Sequence, residues 1–494
     1  MVVRCFVFFA IAGMAAQGQP ASPAPRVLDG PPLRAAEPVE AIVADLQRFV
    51  PEYMRRQRIP GVSIALVRDR RIAWSGAFGV VNSITREPVT PETLFEVASI
   101  SKVVTAYTAL RLVDQGKLAL DGPLNSYLRD PWLPPSAHRD TIQLRHVLAH
   151  SSGLGHGSPS RESLFAAGEG YRYSATGYLY AQAVIEHVSG KTLEDATREQ
   201  VFLPLGMLSS SYLNRRELTP RTASGHVWGI APMLLCAVLW LIGPMVLTVL
   251  GLPSHRLLTG SWRPARRTVL AALGLAWALT MGSAFYLLGA SDLLEFAWLM
   301  LLSSLVLAAT CAAAFWMGRR LIVRWCRERK RLRTAGSVVW GMLVVSGLIL
   351  VSFSIRNLPV PKWPQVGVGG ASSVRTTASD LAAFLIELSR PRHLSAAVAE
   401  QLRTPQIRLS SEMDWGLGPG IQHSRDGDAL WQWGQHVDFQ SFMIIYPEQG
   451  FGAVVLTNSD LLNPDVAMEI AQRAVGGRFA AIRRALHLEY NYRP

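Results

Sequence analysis

Cysteine is scarce in this chain, which has four cysteines among 494 residues. Cys5 lies in an N-terminal apolar run, Cys236 and Cys311 lie in long apolar stretches, and Cys326 lies in an arginine-rich run. This distribution excludes a disulfide framework, and the intervals are too long for a paired-thiol metal site. The length excludes a disulfide-stapled miniprotein and provides ample material for a core, so we expect more than one domain.

Acidic residues are fewer than basic ones, with 36 Asp and Glu against 49 Lys and Arg and a net charge of +13 at pH 7. Nevertheless 49% of the residues are hydrophobic, and the mean hydropathy is +0.20. A high positive charge together with a high hydrophobic content requires either a basic soluble surface or membrane segments with basic loops. Residues 226–356 contain 13 Lys and Arg against three Asp and Glu, and Arg4 adds one charge, which leaves about +2 elsewhere. The charge therefore favours basic membrane loops and leaves no patch for a nucleic-acid partner.

The N-terminal residues 1–16 combine Arg4, a short apolar run and a small-residue pattern at 13–15. These features are typical of a secretory signal peptide. An uncleaved anchor is the alternative, but about a dozen apolar residues do not span a bilayer. Residues 17–38 are rich in proline and alanine, and we predict a loose linker there.

Four apolar stretches near membrane-spanning length follow in the middle of the chain, at about 231–252, 268–289, 293–318 and 335–354. The loops after the first and third are rich in arginine, whereas Asp292 and Glu295 lie near the loop after the second. The positive-inside rule places the arginine-rich loops in the cytoplasm. We therefore predict a multi-pass protein of the cell membrane, with the lipid bilayer as a partner. The catalytic domain would be extracytoplasmic, and periplasmic if an outer membrane is present. Four buried helices of a soluble domain are the alternative.

The segments that flank the predicted insert 226–356 mix helical and strand patterns. We predict a hairpin of strands 61–67 and 71–76, a helix over 103–113 that ends before Gly116, a helix over 377–388, strands 442–446 and 452–457, and a last helix over 465–474. Strands at both ends with helices between them predict an α+β domain whose terminal pieces come together. Its two parts are 39–225 and 357–480, and 481–494 is a C-terminal tail.

The sharpest local signal is the run Ser99-Ile100-Ser101-Lys102 at the head of the first of these helices. Residues three apart lie on one helical face, so Lys102 can place its amine against the Ser99 hydroxyl. The helix N-terminus favours negative charge that develops there. A serine nucleophile with a lysine base requires this arrangement. The chain has five lysines, and Lys102 adjoins an apolar helix, where a neutral amine is easiest to keep. Alternatively, Ser99 caps the helix and Lys102 is solvated.

Three blocks of sequence, 61–67, 95–102 and 144–154, together resemble the serine β-lactamase-related family. That superfamily includes class C β-lactamases, D-alanyl-D-alanine carboxypeptidases and related esterases. The resemblance covers about 39–225 and 357–475. It implies a β-lactamase/transpeptidase-like α+β domain, with an antiparallel sheet flanked by helices plus a helical subdomain, interrupted by the four-helix transmembrane insert. It also implies that Ser99 is the nucleophile and Lys102 its base.

The family's second motif, Tyr-x-Asn, is similar to Tyr173-Ser174-Ala175. The resemblance implies that Tyr173 is a phenolic acid and base that shuttles the proton between Ser99 and the leaving group. Alanine at 175 removes an amide that would hold the substrate's carbonyl side or orient Lys102. A packed core aromatic is the alternative role for Tyr173.

The family's third motif, Lys-Thr-Gly or His-x-Gly, falls at Gln432-Trp433-Gly434, counted back from 438–441, which is similar to Gly-Phe-x-Ser. A backbone N–H near Gln435 would form the oxyanion hole with that of Ser99. The first position has neither Lys nor His, and a lost cation weakens binding of a substrate carboxylate. We interpret His436 as a surface or packing residue rather than a replacement for that cation.

His146 and His150 are four residues apart, and this spacing places both on one face of a helix. A metal pair or a Ser-His-Asp triad would use such residues, but no glutamate lies between them, and the resemblance implies a structural block around the site. A glycine-rich phosphate loop followed by Lys-Ser/Thr is absent from the sequence. We predict neither a metal nor a cofactor.

These observations together predict a membrane-anchored serine hydrolase that acts on an ester or amide through an acyl-enzyme. By resemblance, the substrates are peptidoglycan-type D-amino-acid peptides, β-lactams or small esters, and the altered motifs favour esterase or peptidase over β-lactamase activity. Ala175 and Gln432 motivate an alternative, a catalytically degenerate sensor or binding protein for cell-wall peptides. A transporter is disfavoured because no charged residue lies at the centre of a predicted span.

Overall fold

An eight-stranded antiparallel sheet organises the computed structural model, which describes residues 31–227 and 358–491 with short gaps at 137, 157–160, 216, 360–367, 437 and 460–464. The strands are β1 (Gly61–Arg68), β2 (Arg71–Gly79), β3 (Phe95–Glu96), β4 (His226–Val227), β5 (Leu358–Pro359), β6 (Arg375–Thr376), β7 (Ile407–Ser410), β8 (Met413–Trp415), β9 (Gly420–Gln422), β10 (Ala429–His436), β11 (Phe439–Tyr446) and β12 (Phe451–Thr457). The order in the large sheet is β2-β1-β12-β11-β10-β9-β8-β7, and β3 pairs with β6.

Helices cover both faces of this sheet. They are α1 (Val39–Gln57), α2 (Ile100–Asp114), α3 (Leu144–Leu148), α4 (Ala175–Ser189), α5 (Leu193–Thr197), α6 (Ala378–Ser389), α7 (Ala396–Arg403), α8 (Val466–Val475) and α9 (Ala480–Asn491). Short 3-10 turns lie at Arg34–Ala36, Leu124–Tyr127, Arg139–Thr141 and Thr219–Arg221, and a π-helical segment, Arg198–Phe202, continues α5. Helix α9 occupies the region for which the sequence predicts a tail.

Two hydrophobic cores lie on opposite faces of the sheet, because successive side chains along each strand point to opposite faces. In β1, Val62 and Ile64 pack with α1 and α8, whereas Ala65 and Val67 pack with α2 and α6. The strands are buried on both faces, so they have the near-continuous apolar composition expected of a covered sheet. The second core continues into α3, α4 and α5, which form a helical subdomain beside the sheet.

Strands β1 and β12 pair with each other although they come from opposite ends of the chain. Val62 lies opposite Thr457, and the ladder continues to Val67 opposite Gly452. The predicted hairpin is also present, since β1 and β2 pair and Asp69 and Arg70 have φ values of 53° and 57°. Two successive positive φ values are typical of a tight hairpin turn. The predicted α+β fold, with an antiparallel sheet whose terminal pieces meet, is confirmed.

The predicted location in the cell membrane, with multiple passes and an extracytoplasmic catalytic domain, is corrected here. Across 31–227 and 358–491, no helix combines the length and the apolar character needed to cross a bilayer. The predicted signal peptide, the four apolar stretches and all four cysteines lie outside the described residues.

Candidate active site

Ser99 lies at a sharp turn between β3 and α2. Ala98, the residue before it, has a φ of 46°, a left-handed conformation that is uncommon for a residue with a Cβ atom. The Val97 carbonyl accepts hydrogen bonds from the Ile100 N–H at 3.1 Å and from the Ser441 hydroxyl at 2.8 Å. These contacts fasten the turn to β11 and leave Ser99 at the N-cap position of α2, where the helix dipole favours negative charge.

Lys102 is enclosed at the first turn of α2, with 1% of its surface exposed. Its Nζ lies 2.9 Å from Ser99 Oγ and 2.9 Å from the Ala371 carbonyl oxygen. The same Nζ lies 4.8 Å from the centre of the Tyr173 ring. The amine is therefore directed at the serine hydroxyl and is not solvated.

Tyr173 approaches Lys102 from the start of α4, and 9% of its surface is exposed. The next residue, Ser174, caps this helix because its hydroxyl accepts a hydrogen bond from the Gly177 N–H at 2.8 Å. Ala175 is the first residue of α4, so the family's amide position lies at the helix start. The Tyr173 ring stacks on Trp433 with centroids 5.2 Å apart.

Gln432 lies on β10 and is fully buried. Its Nε2 lies 3.1 Å from the Tyr173 hydroxyl and 3.1 Å from the Trp433 carbonyl oxygen. A carbonyl oxygen accepts only, so the nitrogen end of the amide must face it. The Gln432 amide therefore also donates to the phenol oxygen. Gln432 therefore contacts Tyr173 and places a neutral hydrogen-bond donor at the position where the family motif has a cation.

Gly434 allows β10 to pass directly beside the nucleophile. A Cβ atom at this position would lie 2.0 Å from the Val97 oxygen, 2.4 Å from Ser441 Oγ and 3.0 Å from the Ser99 backbone nitrogen. Strand β9 pairs with β10 over 429–431, so the stretch from Gln432 onward extends past that partner. The stretch that includes Gln435 thus runs past the serine, as an oxyanion hole built from this strand requires.

His436 is tied to a buried ion pair behind the serine. Its Nδ1 lies 2.5 Å from Glu96, which also pairs with Arg375 at 2.9 Å. The His436 side chain is 16% exposed. The histidine therefore joins β10 to β3 and packs against the carboxylate.

Aromatic residues form a wall on the Tyr173 side of the site. Trp415 lies 6.0 Å from Tyr173 and 5.4 Å from Tyr171, and Trp431 stacks on Trp433 at 5.5 Å. The family motifs include Trp433 and Tyr173 but not Trp415, since β8 contains no family motif. Alternation of apolar residues is the signal that predicts such a strand.

His146 and His150 do not share a helical face, in contrast to the prediction from their spacing. Helix α3 ends at Leu148, and His150 has a φ of 58°. His146 caps its own helix by accepting from the Gln143 N–H at 3.2 Å, and burial lowers its pKa. Within the described ranges, no group of three or more His, Cys, Asp or Glu residues could hold a metal ion.

Comparisons with known proteins agree with this geometry. The sequence pattern of the Beta-lactamase family matches residues 46–478. Esterase EstB of Burkholderia gladioli is 28% identical over 207 residues, which are 35% of this chain and 52% of that protein. Penicillin-binding protein 4 of Amycolatopsis lactamdurans is 28% identical over 187 residues, 34% of this chain and 49% of that protein. The chain thus spans about half the length of these curated relatives.

Solved structures show the same fold at lower identity. A class C beta-lactamase has a TM-score of 0.56 at 15% identity and covers 88% of this chain and 95% of its own. The octameric penicillin-binding protein homologue from Pyrococcus abyssi has a TM-score of 0.56 at 19% identity, and the match covers 90% of this chain and 77% of that one. The family pattern extends over most of the sequence and includes the turn at Ser99 and strand β10, so the chain belongs to the Beta-lactamase family.

Proposed function

We propose that the protein is a serine hydrolase that cleaves a carboxylic ester or an amide through an acyl-enzyme on Ser99. The observation that carries the proposal is the 2.9 Å contact between Lys102 Nζ and Ser99 Oγ, next to the Tyr173 ring. This distance is within reach for proton transfer between a nucleophile and its base. The family assignment supports the same chemistry.

Acylation begins when Ser99 Oγ attacks the substrate carbonyl carbon and the neutral amine of Lys102 takes the hydroxyl proton. The carbonyl π electrons move to oxygen, and the oxyanion is held by backbone N–H groups of Ser99 and Gln435. When the tetrahedral species collapses, Tyr173 gives its proton to the leaving alcohol or amine. The phenolate then recovers a proton from the Lys102 ammonium, which leaves the acyl-enzyme and a neutral lysine.

Deacylation repeats these steps with water as the nucleophile. Water attacks the acyl carbon, and its proton passes to the neutral amine of Lys102 with the Tyr173 hydroxyl as the relay. The tetrahedral species then expels Ser99 Oγ, which takes that proton back. A carboxylic acid is released and the site returns to its starting state.

Two features of the site favour a neutral, apolar ester over a substrate with a carboxylate. Gln432 supplies a dipole where the family motif has a cation, so the site lacks that charge for an anionic group. Trp433, which is 7% exposed, stacks on Tyr173 and gives that side of the site an apolar lining. The similarity to an esterase supports this preference, and the similarity to a penicillin-binding protein makes D-amino-acid peptides the second substrate class to test.

The test is covalent labelling and turnover of the purified full chain. Wild type and Ser99→Ala are treated with a fluorescent fluorophosphonate and a fluorescent penicillin, and hydrolysis of p-nitrophenyl butyrate, nitrocefin and a D-alanyl-D-alanine peptide is measured. Ser126→Ala, which removes an exposed hydroxyl bound to the Pro123 carbonyl, is the matched control. We expect a fluorophosphonate adduct and ester turnover in wild type and in the control, and neither in Ser99→Ala.

A wild-type protein without a Ser99-dependent adduct would contradict the hydrolase proposal. A stable penicillin adduct without turnover of any of the three substrates would instead identify a binding protein. Peptide turnover above ester turnover would overturn the substrate preference and leave the acyl-enzyme mechanism in place.

A further inference from the structure

His150 holds the backbone on both sides of Tyr173. Its carbonyl oxygen accepts a hydrogen bond from the Arg172 N–H at 2.7 Å. Its Nδ1 lies 3.0 Å from the Ser174 backbone nitrogen, and that N–H donates to it. One residue thus binds the amides immediately before and after the tyrosine.

The ring of His150 also packs directly on the tyrosine. The ring centroids of His150 and Tyr173 are 4.2 Å apart, and the two ring planes are inclined by 35°. Trp415 lies edge-on to the His150 ring, with the two ring centroids 5.2 Å apart. The side chain is fully buried. Tyr173 is therefore fixed through its backbone and through one face of its ring.

The contacts determine the protonation of His150. Nδ1 accepts the Ser174 N–H, so it is unprotonated and the ring proton lies on Nε2. Complete burial lowers the pKa of His150 well below its usual value. The ring is thus a neutral acceptor at neutral pH and keeps its hold on Ser174.

The left-handed backbone conformation of His150 allows both of these contacts. Helix α3 ends at Leu148, and a φ of 58° at His150 turns the chain so that both its carbonyl and its ring reach the 172–174 segment. Asparagine tolerates this left-handed conformation better than most residues, and its Oδ1 occupies the position of a histidine Nδ1. Glycine adopts the same φ without strain but lacks both the acceptor and the ring.

We infer that His150 is a positioning residue that fixes Tyr173 over Lys102 for proton transfer to the leaving group. The inference rests on the role proposed above for Tyr173. His150 contacts neither substrate nor the reacting atoms in this scheme. It acts by holding the phenol in place, so we expect removal of the His150 side chain to lower kcat and to leave KM nearly unchanged.

The experiment compares His150→Gly and His150→Asn with wild type in the full chain. With p-nitrophenyl butyrate, we expect His150→Gly to lower kcat by about tenfold or more with KM nearly unchanged, because a displacement of about 1 Å in a catalytic group costs up to about a hundredfold. His150→Asn should restore kcat to within about threefold of wild type, since it keeps the acceptor. Rates are expressed per fluorophosphonate-reactive Ser99.

Two measurements separate positioning from general stability. His187→Gly, at an exposed position of α4, lowers the stability of that helix because glycine has a lower helix propensity than histidine, and it should leave kcat unchanged. Hydrogen exchange of a peptide covering 172–178 reports the Ser174 amide directly. It should be faster in His150→Gly and protected again in His150→Asn.

A wild-type kcat in folded His150→Gly, or a loss in His150→Asn equal to that in His150→Gly, would overturn the inference. If His150→Gly does not fold, the Asn variant decides alone: near-wild-type kcat supports the inference and a tenfold loss overturns it. If wild type turns over no ester, the proposed function fails, and exchange at 172–178 still shows whether the histidine holds the tyrosine segment.

Discussion

The side-chain amide of Gln432 donates a hydrogen bond to the phenol oxygen of Tyr173 across 3.1 Å. The Trp433 carbonyl fixes the direction of this bond, because it must face the nitrogen of the amide. In the proposed mechanism, this neutral donor would stabilise the phenolate that forms when Tyr173 protonates a leaving group. The interaction is weaker than one from a cation, and it is also independent of pH.

Replacement of Gln432 by leucine removes this donor with little change in size. We expect kcat for an ester to fall by about two- to tenfold, because a neutral hydrogen bond contributes about 0.5–1.5 kcal/mol and about 1.4 kcal/mol is a factor of ten. The pH dependence of kcat should keep its shape, since no titrating group is lost. Steady-state kinetics over a pH series measure both quantities.

Gln422→Leu is the matched control for this substitution. Gln422 is also buried, lies on the adjacent strand β9, and donates to the Arg478 carbonyl, away from Tyr173. It should lose stability without a comparable loss of kcat. Equal kcat losses in the two variants would show that Gln432 acts through the stability of the sheet.

Gly434→Ala should disturb the nucleophile directly. The added Cβ would lie 2.0 Å from the Val97 oxygen, far inside contact distance, so the turn or strand β10 must move. A shift of about 1 Å at the serine predicts a loss in kcat of about a hundredfold. Overpacking also lowers the free energy of unfolding by about 1–3 kcal/mol. Kinetics and urea denaturation test the two effects.

Gly170→Ala provides the comparison, since its added Cβ would meet the Phe165 ring at 3.4–3.7 Å, an ordinary contact. That variant should keep wild-type turnover. A Gly434→Ala enzyme with full activity would mean that β10 does not need this close approach to Ser99.

His423 is predicted to make stability depend on pH through a site far from Ser99 in sequence. Its two ring nitrogens each lie 2.8 Å from a carboxylate, that of Asp414 and that of Asp428. Carboxylates accept only, so both nitrogens must donate and the ring is an imidazolium. Burial lowers the pKa of His423, but the hydrogen bonds to Asp414 and Asp428 outweigh this effect and the pKa is raised.

The sign of the pH effect follows from that raised pKa. The stabilisation is fully present below the unfolded pKa of about 6.5 and is lost as the pH rises through the higher folded pKa. Wild type should therefore lose about one or two degrees of thermal midpoint relative to His423→Gln between about pH 6 and pH 8.5, a small effect because the site is partly exposed. Parallel midpoints for the two proteins across this range would contradict the prediction.

The local elements could be predicted because their signals lie within a few residues of one another. The hairpin at Asp69 and the helix that begins after Ser99 follow from turn residues and apolar spacing, and the structure extends them by only a few residues. The helix predicted over 377–388 is present as α6, and the Thr377 hydroxyl caps it by accepting from the Asp380 N–H at 3.0 Å. Patterns of this kind depend on periodicity and capping alone.

The long-range contacts of the site could not be predicted in this way. Lys102 meets the Ala371 carbonyl from 269 residues away, and Gln432 meets Tyr173 from 259 residues away. Such contacts depend on how the second half of the chain docks on the first, which no local pattern records. His150 shows the opposite failure: a regular spacing predicted a shared helical face, but the helix ends two residues earlier.

Lys102→Met tests the base itself. Methionine fills a similar volume in a position where 1% of the lysine is exposed, and it cannot take a proton. We expect kcat/KM for an ester to fall by about 10²- to 10⁴-fold, the usual contribution of a general base. Lys102→Arg should be equally inactive, because it keeps the charge but cannot become neutral. Lys191→Met, which breaks an exposed pair with Glu199, should turn over ester like wild type. Activity retained in Lys102→Arg would show that Lys102 contributes only its charge and that another group accepts the Ser99 proton.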